Sequence, residues 1–260
     1  MKNHIIVYIF IFLFLNACTP DFKINQGNAK YPSNEENSKS NSEASSDQKK
    51  EERERNKKIL FNNLINLIES ANAYKEKYIK KMEKEPSDQY GMLSAFADLN
   101  WVSAPGESMS SNTDRSIKYR RRVYITLSLI DDKELKKISD ILRLAGQTLE
   151  LELFRVFVAI GYLLEEVTNP LYSKKDVLYK LSISDLDKLK KLFNTILSTI
   201  KFVSEKTKQI LLDYQDDKNL IKTDVTKLKS YLDAFCKQMR EETVEAENLL
   251  KEVISLVESL

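Results

Sequence analysis

The sequence predicts an all-α fold, a single-domain bundle of about six or seven helices behind a disordered N-terminal tether. Three observations predict it. Charged residues make up 31% of the chain, which has only five glycines and five prolines, and this composition is typical of long helices. Apolar residues recur every three or four positions over most of the chain after residue 53, which is the period of a helix with one buried face. Convincing alternation of apolar and polar residues, the pattern of a half-buried strand, is absent from the sequence.

Residues 1–18 predict a signal peptide that ends at a lipidated cysteine. Lys2 is followed by an almost wholly apolar run over Ile5–Leu15 and then by Asn16-Ala17-Cys18. A cationic start, a short apolar run and a small residue before the cleavage site are typical of secretory signals. The run is too short to span a membrane, which takes roughly 20 residues. Leu-x-Ala-Cys resembles a bacterial lipobox, so we expect residues 1–17 to be removed and Cys18 to carry the lipid. The alternative is a plain signal peptide followed by an incidental cysteine.

Residues 18–52 are predicted to form the tether. This segment is dominated by Asn, Ser, Lys, Glu, Gln and Asp, and it cannot bury enough apolar surface to offset its conformational entropy. A flexible segment after a lipidated cysteine holds a folded body at a distance from the membrane. That body is predicted to comprise residues 53–260.

The first helix of the body is predicted from about residue 53 to Glu85. Pro86 ends it, because the residue before a proline disfavours helical backbone. A short apolar segment over Tyr90–Leu99 predicts a brief second helix, and a loop follows over residues 103–111. The stripe that predicts the first helix has spacings of four and three and consists of Leu60, Leu64, Leu67, Ala71, Tyr74 and Tyr78.

Two shorter helices are predicted next. Asn112 or Thr113 can cap the first, which continues to about Leu129, and Asp131 or Asp132 can cap the second. After Gly146, the stretch Leu149–Val167 is the most apolar of the body. A helix that is apolar on most sides belongs in the centre of a bundle, and Asn169-Pro170 is expected to end it.

Two long helices complete the prediction. One is capped by Ser182 or Ser184 and runs to about Asp213. The other begins near Thr223-Asp224 and has a polar interruption at Glu242, after which its apolar stripe resumes.

The sequence has few groups that could perform catalysis. His4 is the only histidine and leaves with the predicted signal peptide, which removes the usual general base and every zinc site that needs an imidazole. The glycines are too scattered for a phosphate-binding loop. Lys and Arg number 41 against 39 Asp and Glu, and a formal net charge of only +2 gives no strong overall attraction to nucleic acid. We therefore expect no enzyme activity, no cofactor, no metal and no nucleic-acid partner.

One basic cluster stands out, and two interpretations of it remain open. It is a ligand-facing site for a sulfated glycosaminoglycan or an acidic face of a host protein, or it is an ordinary solvated helix face with Tyr119 and Val123 turned inward. The cluster consists of Lys118, Arg120, Arg121 and Arg122.

Two features bear on self-association. Cys236 follows Phe235 on the apolar side of the last helix and is expected to be a buried thiol; the alternative is an exposed thiol that forms an intermolecular disulfide. The apolar stripe over residues 246–260 either packs onto the bundle or forms a dimer surface. A monomer is favoured over a homodimer, because an apolar stripe is usually core.

Three segments resemble a known protein family: KYRRRVY at 118–124, LYSKKDVLYKLSISDLDKLK at 171–190, and residues 203–225. They are similar to the paralogous outer-surface lipoproteins of Lyme-disease spirochaetes (Borrelia), the family that includes the complement regulator-acquiring surface protein. The order of lipobox, polar tether and helical bundle is similar as well. The resemblance covers roughly residues 55–245. It implies an all-helical protein that is lipid-anchored in the bacterial outer membrane and faces the cell exterior.

The resemblance also implies host proteins as partners. One member binds factor H, and others have been linked to terminal complement components or plasminogen. We therefore expect a surface lipoprotein that binds host proteins in complement or immune evasion. The alternative is a structural or adhesive envelope lipoprotein with no soluble host ligand. No ligand-binding residue is carried over from the family, because the shared segments cap and pack helices.

Overall fold

The predicted all-α bundle is confirmed by the computed structural model of the protein, which describes residues 46–258. The predicted signal peptide, Cys18 and the predicted tether as far as residue 45 lie outside these residues. Within the described range, no helix is long and apolar enough to cross a membrane. The α-helices are α1 (Ser46–Glu83), α2 (Leu93–Ala97), α3 (Asp114–Thr126), α4 (Asp132–Leu144), α5 (Gln147–Ser173), α6 (Ile183–Gln215) and α7 (Val225–Glu258). Short 3₁₀ helices cover Gln89–Gly91, Lys175–Lys180 and Lys218–Leu220.

Helix α5 lies at the centre of the bundle, as predicted, and packs against α1, α3, α4, α6 and α7. Its residues Leu153, Phe157, Ile160 and Leu164 are fully buried, which is what an apolar pattern on most sides of a helix requires.

Helix α1 begins earlier than predicted. Residues 46–52 were assigned to the tether but are helical, because Lys, Glu and Arg favour helices even where nothing packs on them. The side chains of residues 47–56 are all exposed. Of the predicted stripe, Leu60 is half-buried and the five residues from Leu64 to Tyr78 are buried. The start of α1 is therefore a charged, solvent-exposed helix.

Helix α5 also differs from its prediction, because it passes through Pro170 and ends at Ser173. Pro170 lacks an N–H and removes one helical hydrogen bond. Its own carbonyl oxygen accepts hydrogen bonds from the Lys174 N–H at 3.1 Å and from the Ser173 hydroxyl at 2.8 Å. Leu171 is fully buried, so core packing holds the extra turn in place.

The predicted caps of α4 and α6 are confirmed, whereas Thr113 precedes α3 without a side-chain capping hydrogen bond. The Asp131 carboxylate accepts hydrogen bonds from the N–H groups of Lys133 and Glu134 and forms a capping box with Glu134. Ser182 caps α6, and Asp224 accepts from the Thr226 N–H at the start of α7. Helix α7 is continuous through Glu242, and Glu242 is exposed while Ala246 is buried, so the predicted polar interruption affects the apolar stripe and not the helix.

Contacts along α1 define the two ends of the bundle. The 3₁₀ helix Lys175–Lys180 lies beside residues 54–69 of α1, with Glu54 at 3.3 Å from the Tyr179 hydroxyl and Glu69 paired with Lys175 at 2.6 Å. Helix α5 has 27 residues and so spans about 40 Å, which places its first residue far from this end. The segments at that opposite end, residues 98–113, 145–146 and 216–224, are called the loop end below.

Candidate functional site

The structure places the four residues of the predicted basic cluster in three different environments on α3. Lys118 is exposed, Arg121 and Arg122 are half-buried, and Arg120 is fully buried. The four do not form one ligand-facing surface, so that prediction is wrong for Arg120. Tyr119 and Val123 do point inward, but the simple solvated face is also wrong, because three of the four cations bind internal carboxylates.

Arg120 forms a complete buried ion pair with Glu85. Its Nε lies 3.0 Å from both carboxylate oxygens and its Nη2 lies 2.6 Å from Oε2. Its Nη1 donates to the carbonyl oxygens of Met109 and Ser111, both at 2.8 Å. The Tyr124 hydroxyl lies 2.8 Å from Glu85 Oε1. Because every side of the pair is hydrogen-bonded, Arg120 joins α3 to the end of α1 and cannot contact a ligand.

Arg121 and Arg122 share one carboxylate, that of Glu165 on α5. Arg121 Nε donates to Oε1 at 2.7 Å and Arg122 Nε donates to Oε2 at 2.8 Å. Burial raises the pKa of Glu165, but the two guanidinium charges outweigh burial and hold that pKa below its ordinary value. Arg122 also lies 4.8 Å from the ring centre of the half-exposed Tyr162. Glu85 and Glu165 together neutralise two of the four positive charges of the basic cluster.

Helices α3 and α5 approach closely at Gly161, one turn before Glu165. A Cβ atom at this position would lie 2.5 Å from the Arg122 carbonyl oxygen and 2.8 Å from its Cα. Only glycine fits there, and the close approach brings both arginines within reach of Glu165.

The most exposed large apolar side chain in the described residues belongs to Val102, which is 91% exposed. It lies in the segment 98–113 between α2 and α3, which is called the Trp101 loop. The residues around the tip, Val102–Gly106, carry no charge. Gly106 has a φ of 89°, which permits the turn.

Backbone and side-chain contacts hold the Trp101 loop in one conformation. Asn100 and Ser108 form an isolated antiparallel bridge, and the Trp101 N–H donates to the Glu107 carbonyl oxygen at 2.9 Å. The Trp101 indole Nε1 donates to Ser116 Oγ at 2.9 Å, and the Arg115 guanidinium lies 5.2 Å from the Trp101 ring centre. The loop is thus rigidly attached to the first turn of α3.

A second set of contacts holds the far side of the loop. The Glu107 carboxylate accepts from Arg115 Nε at 2.8 Å and from the Thr113 hydroxyl at 2.6 Å. These hydrogen bonds from Arg115 and Thr113 lower the pKa of Glu107 to about 2. Glu107 therefore stays ionised, and the loop keeps this contact, at every pH at which the protein is expected to work.

The base of the Trp101 loop lies on the junction of α4 and α5. Asp98 pairs with Arg143 at 2.9 Å, and its carbonyl oxygen accepts from Gln147 Nε2 at 2.5 Å. Beside these contacts Glu150 is 2% exposed, and its Oε1 has no hydrogen-bond partner in the described part of the chain. Burial and then the Asp98 carboxylate raise the pKa of Glu150 to about 7, while Arg143 opposes them.

The structure bears on the predictions for the cysteines and for metal binding. Cys18 lies outside the described residues. Cys236 is free and buried, which confirms the expected buried thiol, and burial raises its pKa. Among residues 46–258, no group of three or more His, Cys, Asp or Glu side chains could hold a metal ion.

Sequence reasoning predicted a loop over residues 103–111 but did not single it out as a site, and it missed the burial of the Glu85, Glu150 and Glu165 side chains. Two signals were available for them. The only tryptophan of the chain lies in a polar, Pro-Gly-containing segment, and long loops in small domains are usually functional. Glu150 and Glu165 lie within the most apolar helix, where an acidic residue needs a partner or a shifted pKa.

Comparisons with known proteins give a family and a fold. Residues 80–258 match the sequence profile of a family described as Borrelia Bbcrasp-1 domain containing protein. A crystal structure of BSE31 from the Lyme disease agent Borrelia (Borreliella) spielmanii is similar, with 43% identity, a TM-score of 0.73 and coverage of 76% of this chain and 98% of that one. A comparison with curated protein sequences finds no match.

Two more distant structures share the fold. Borrelia burgdorferi outer surface lipoprotein BBA64 is 19% identical, with a TM-score of 0.63 and coverage of 76% of this chain and 97% of its own. The outer surface protein BBA66 from Borrelia burgdorferi is also 19% identical, with a TM-score of 0.61 and coverage of 76% and 98%.

Proposed function

Because the chain belongs to the family of Borrelia Bbcrasp-1 domain containing proteins, we propose that it is an outer-surface lipoprotein that binds a host protein in immune evasion. The partner is a complement component, the regulator factor H, or plasminogen. The lipobox at Cys18 supports anchoring in the outer membrane. BBA64 and BBA66, which share the fold, are outer surface proteins of Borrelia burgdorferi, and this supports display on the cell exterior.

The direction of the chain supports contact at the loop end. A lipid on Cys18 would hold the protein by the segment before α1, and the 3₁₀ helix Lys175–Lys180 lies beside residues 54–69 of α1. The loop end lies at the other end of α5 and therefore points away from the membrane. A partner that approaches the cell would meet the loop end first.

The observation that carries the binding role is the exposure of Val102 on a loop of fixed conformation. Burial of an exposed apolar side chain by a partner lowers the free energy of the complex. A loop that is already ordered loses little conformational entropy on binding. The Trp101 loop combines both properties, whereas the paired arginines of α3 offer neither a free charge cluster nor a cleft.

A binding screen with matched variants tests this role. The purified protein, Val102→Asp and the control Val244→Asp are titrated with factor H, plasminogen and the terminal complement components. Val244 is also an exposed valine, with 50% of its surface accessible, but it lies on α7. We expect saturable binding of one of these proteins, a loss of at least about tenfold in affinity for Val102→Asp, and little change for Val244→Asp. The wild type and both variants should melt at similar temperatures, because the Val102 and Val244 side chains are both exposed.

Two results would contradict the proposal. Absence of saturable binding to all of these host proteins at micromolar concentration favours the structural or adhesive envelope lipoprotein. Equal binding by Val102→Asp and the wild type removes the Trp101 loop from the contact surface. Anchoring is tested separately: Cys18→Ala should lose membrane retention in detergent phase partitioning, and protease added to intact cells should remove the wild-type protein.

A further inference from the structure

The end of the bundle opposite the loop end carries two exposed tyrosines beside lysines. Tyr172 is 38% exposed and Tyr179 is 39% exposed. The Lys175 Nζ lies 5.0 Å from the ring centre of Tyr172, and the Lys57 Nζ lies 4.8 Å from that of Tyr179. The Tyr179 ring also packs edge-on against Phe61, with ring centres 5.1 Å apart. Contacts with α1 therefore hold Tyr179 in place while part of its ring stays in solvent.

Basic charge is concentrated around these tyrosines. Residues 46–61 of α1 and residues 172–180 are together called the Tyr179 surface. They contain nine Lys or Arg and five Asp or Glu, so their net charge exceeds the +2 of the whole chain. At the edge of the surface Glu69 pairs with Lys175. The adjoining residues 183–191 of α6 add three lysines against two aspartates.

The acidic last part of α7 lies across the bundle from the Tyr179 surface. Helix α1 packs against α3, α5 and α6, whereas α7 packs against α5 and α6. The layer of α5 and α6 therefore separates α1 from the glutamates of α7, which include Glu245, Glu247 and Glu252. The bundle thus has one basic side at this end, the side of α1.

The chain before α1 limits how far the Tyr179 surface can lie from a membrane. Twenty-seven residues separate Cys18 from the first residue of α1. A flexible chain of this length has a mean end-to-end distance of about 30 Å. A lipid on Cys18 therefore keeps the surface at a high effective concentration beside the bilayer. This step rests on the proposed function, which supplies the lipid anchor.

We propose that the Tyr179 surface rests on the outer membrane that holds the Cys18 lipid, with Tyr172 and Tyr179 at the level of the lipid headgroups. Tyrosine favours this level because its ring is apolar and its hydroxyl is polar. Lysine and arginine beside a membrane anchor attract anionic headgroups. The contact orients the bundle, so that the loop end points away from the membrane and does not turn freely on the tether.

Quenching by lipids brominated near the headgroup tests this contact, because bromine quenches only tryptophans that touch the lipid. The full lipidated protein is reconstituted in vesicles of equal parts phosphatidylcholine and phosphatidylglycerol, with and without bromine. Tyr179→Trp and the control Tyr162→Trp each add one tryptophan to Trp101, the only one of the chain. Tyr162 is similarly exposed but lies within α5. We expect bromine to remove up to half of the emission of Tyr179→Trp, because one of its two tryptophans lies at the membrane, and none from Tyr162→Trp or the wild type.

Charge reversal tests the electrostatic part of the contact. In the Tyr179→Trp background, Lys58→Glu together with Lys180→Glu should restore most of the quenched emission. The matched control is Lys227→Glu together with Lys229→Glu at the start of α7, which should leave the quenching unchanged. All four lysines are exposed, so the melting temperatures should stay similar.

Three outcomes would overturn the proposal: no quenching of Tyr179→Trp, equal quenching of Tyr162→Trp, or quenching that the reversal of Lys58 and Lys180 does not reduce. Absence of quenching together with a chemical cross-link between Lys180 residues of two copies assigns the surface to self-association instead. No host protein is present in this assay. Its failure therefore leaves the proposed binding role standing, and a failed binding screen leaves the membrane contact standing.

Discussion

Replacing Gly161 by alanine tests whether the close approach of α3 and α5 limits stability. The new methyl group would lie 2.5 Å from the Arg122 carbonyl oxygen, and ordinary van der Waals contact begins at 3.4 Å. One helix must therefore move by about 1 Å. The atoms in the way belong to backbone and cannot rotate aside, and the movement also lengthens the hydrogen bonds from Arg121 and Arg122 to Glu165.

Two effects of opposite sign determine the result. Alanine is favoured over glycine inside a helix by about 1 kcal/mol. Overpacking of a core costs about 1–3 kcal/mol, and weakening of a charged hydrogen bond adds about 1–2 kcal/mol. The packing effect is larger, so we expect Gly161→Ala to lower the free energy of unfolding by about 1–3 kcal/mol. The melting temperature should fall by about 2–4 °C for each kcal/mol in a chain of this size.

Urea unfolding followed by circular dichroism measures the change. The control is Ala234→Gly at an exposed position of α7, which should cost only the propensity difference of about 1 kcal/mol. If Gly161→Ala is as stable as the wild type or more stable, helix propensity governs this position and the close approach does not limit stability.

Three further predictions concern the ion pairs, a cap and the thiol. Glu165→Gln should lower the free energy of unfolding by about 1.5–3 kcal/mol, below the 3–5 kcal/mol typical of fully buried pairs, because the Arg121 and Arg122 side chains are 15% and 23% exposed. In the same urea assay Glu166→Gln at the exposed neighbouring position should change the free energy of unfolding by less than about 0.5 kcal/mol. If both variants lose the same free energy of unfolding, the hydrogen bonds of Arg121 and Arg122 to Glu165 do not contribute to stability. Asp131→Ala should cost about 1 kcal/mol through loss of the capping box, measured against Asp140→Ala on the exposed face of α4. In a Cys18→Ala background, Cys236 should react with a thiol reagent only after unfolding, and rapid labelling of the native protein would contradict its burial.

The helices were largely predictable because their evidence is local. The spacing of Leu64, Leu67 and Ala71 sets the buried face of α1, and Asp131 and Ser182 act as caps within three residues of the groups they bind. The predicted helix end at Pro170 was wrong, because burial of Leu171 outweighed the tendency of proline to end a helix.

The candidate site was less predictable because its evidence is long-range. A run of Arg and Lys on α3 predicts a solvent-exposed surface. What turns Arg120 inward is Glu85, which lies 35 positions earlier in the chain, and Glu165 lies more than 40 positions after the two arginines that it binds. Nothing in the local pattern reveals such partners, and the same is true of the contact between Trp101 and α3.

The attachment of the Trp101 loop has a consequence for how relatives of this chain diverge. Its hold on the body comes from Trp101, Glu107 and Arg115, all outside the tip, and Gly106 alone within the tip is required by its backbone angle. Residues 102–105 can therefore accept new side chains without loss of helix packing. A single ancestral body can give rise to paralogues that differ at these few positions while the core remains unchanged. Two such proteins with the same architecture can thus present different loop surfaces through a handful of substitutions.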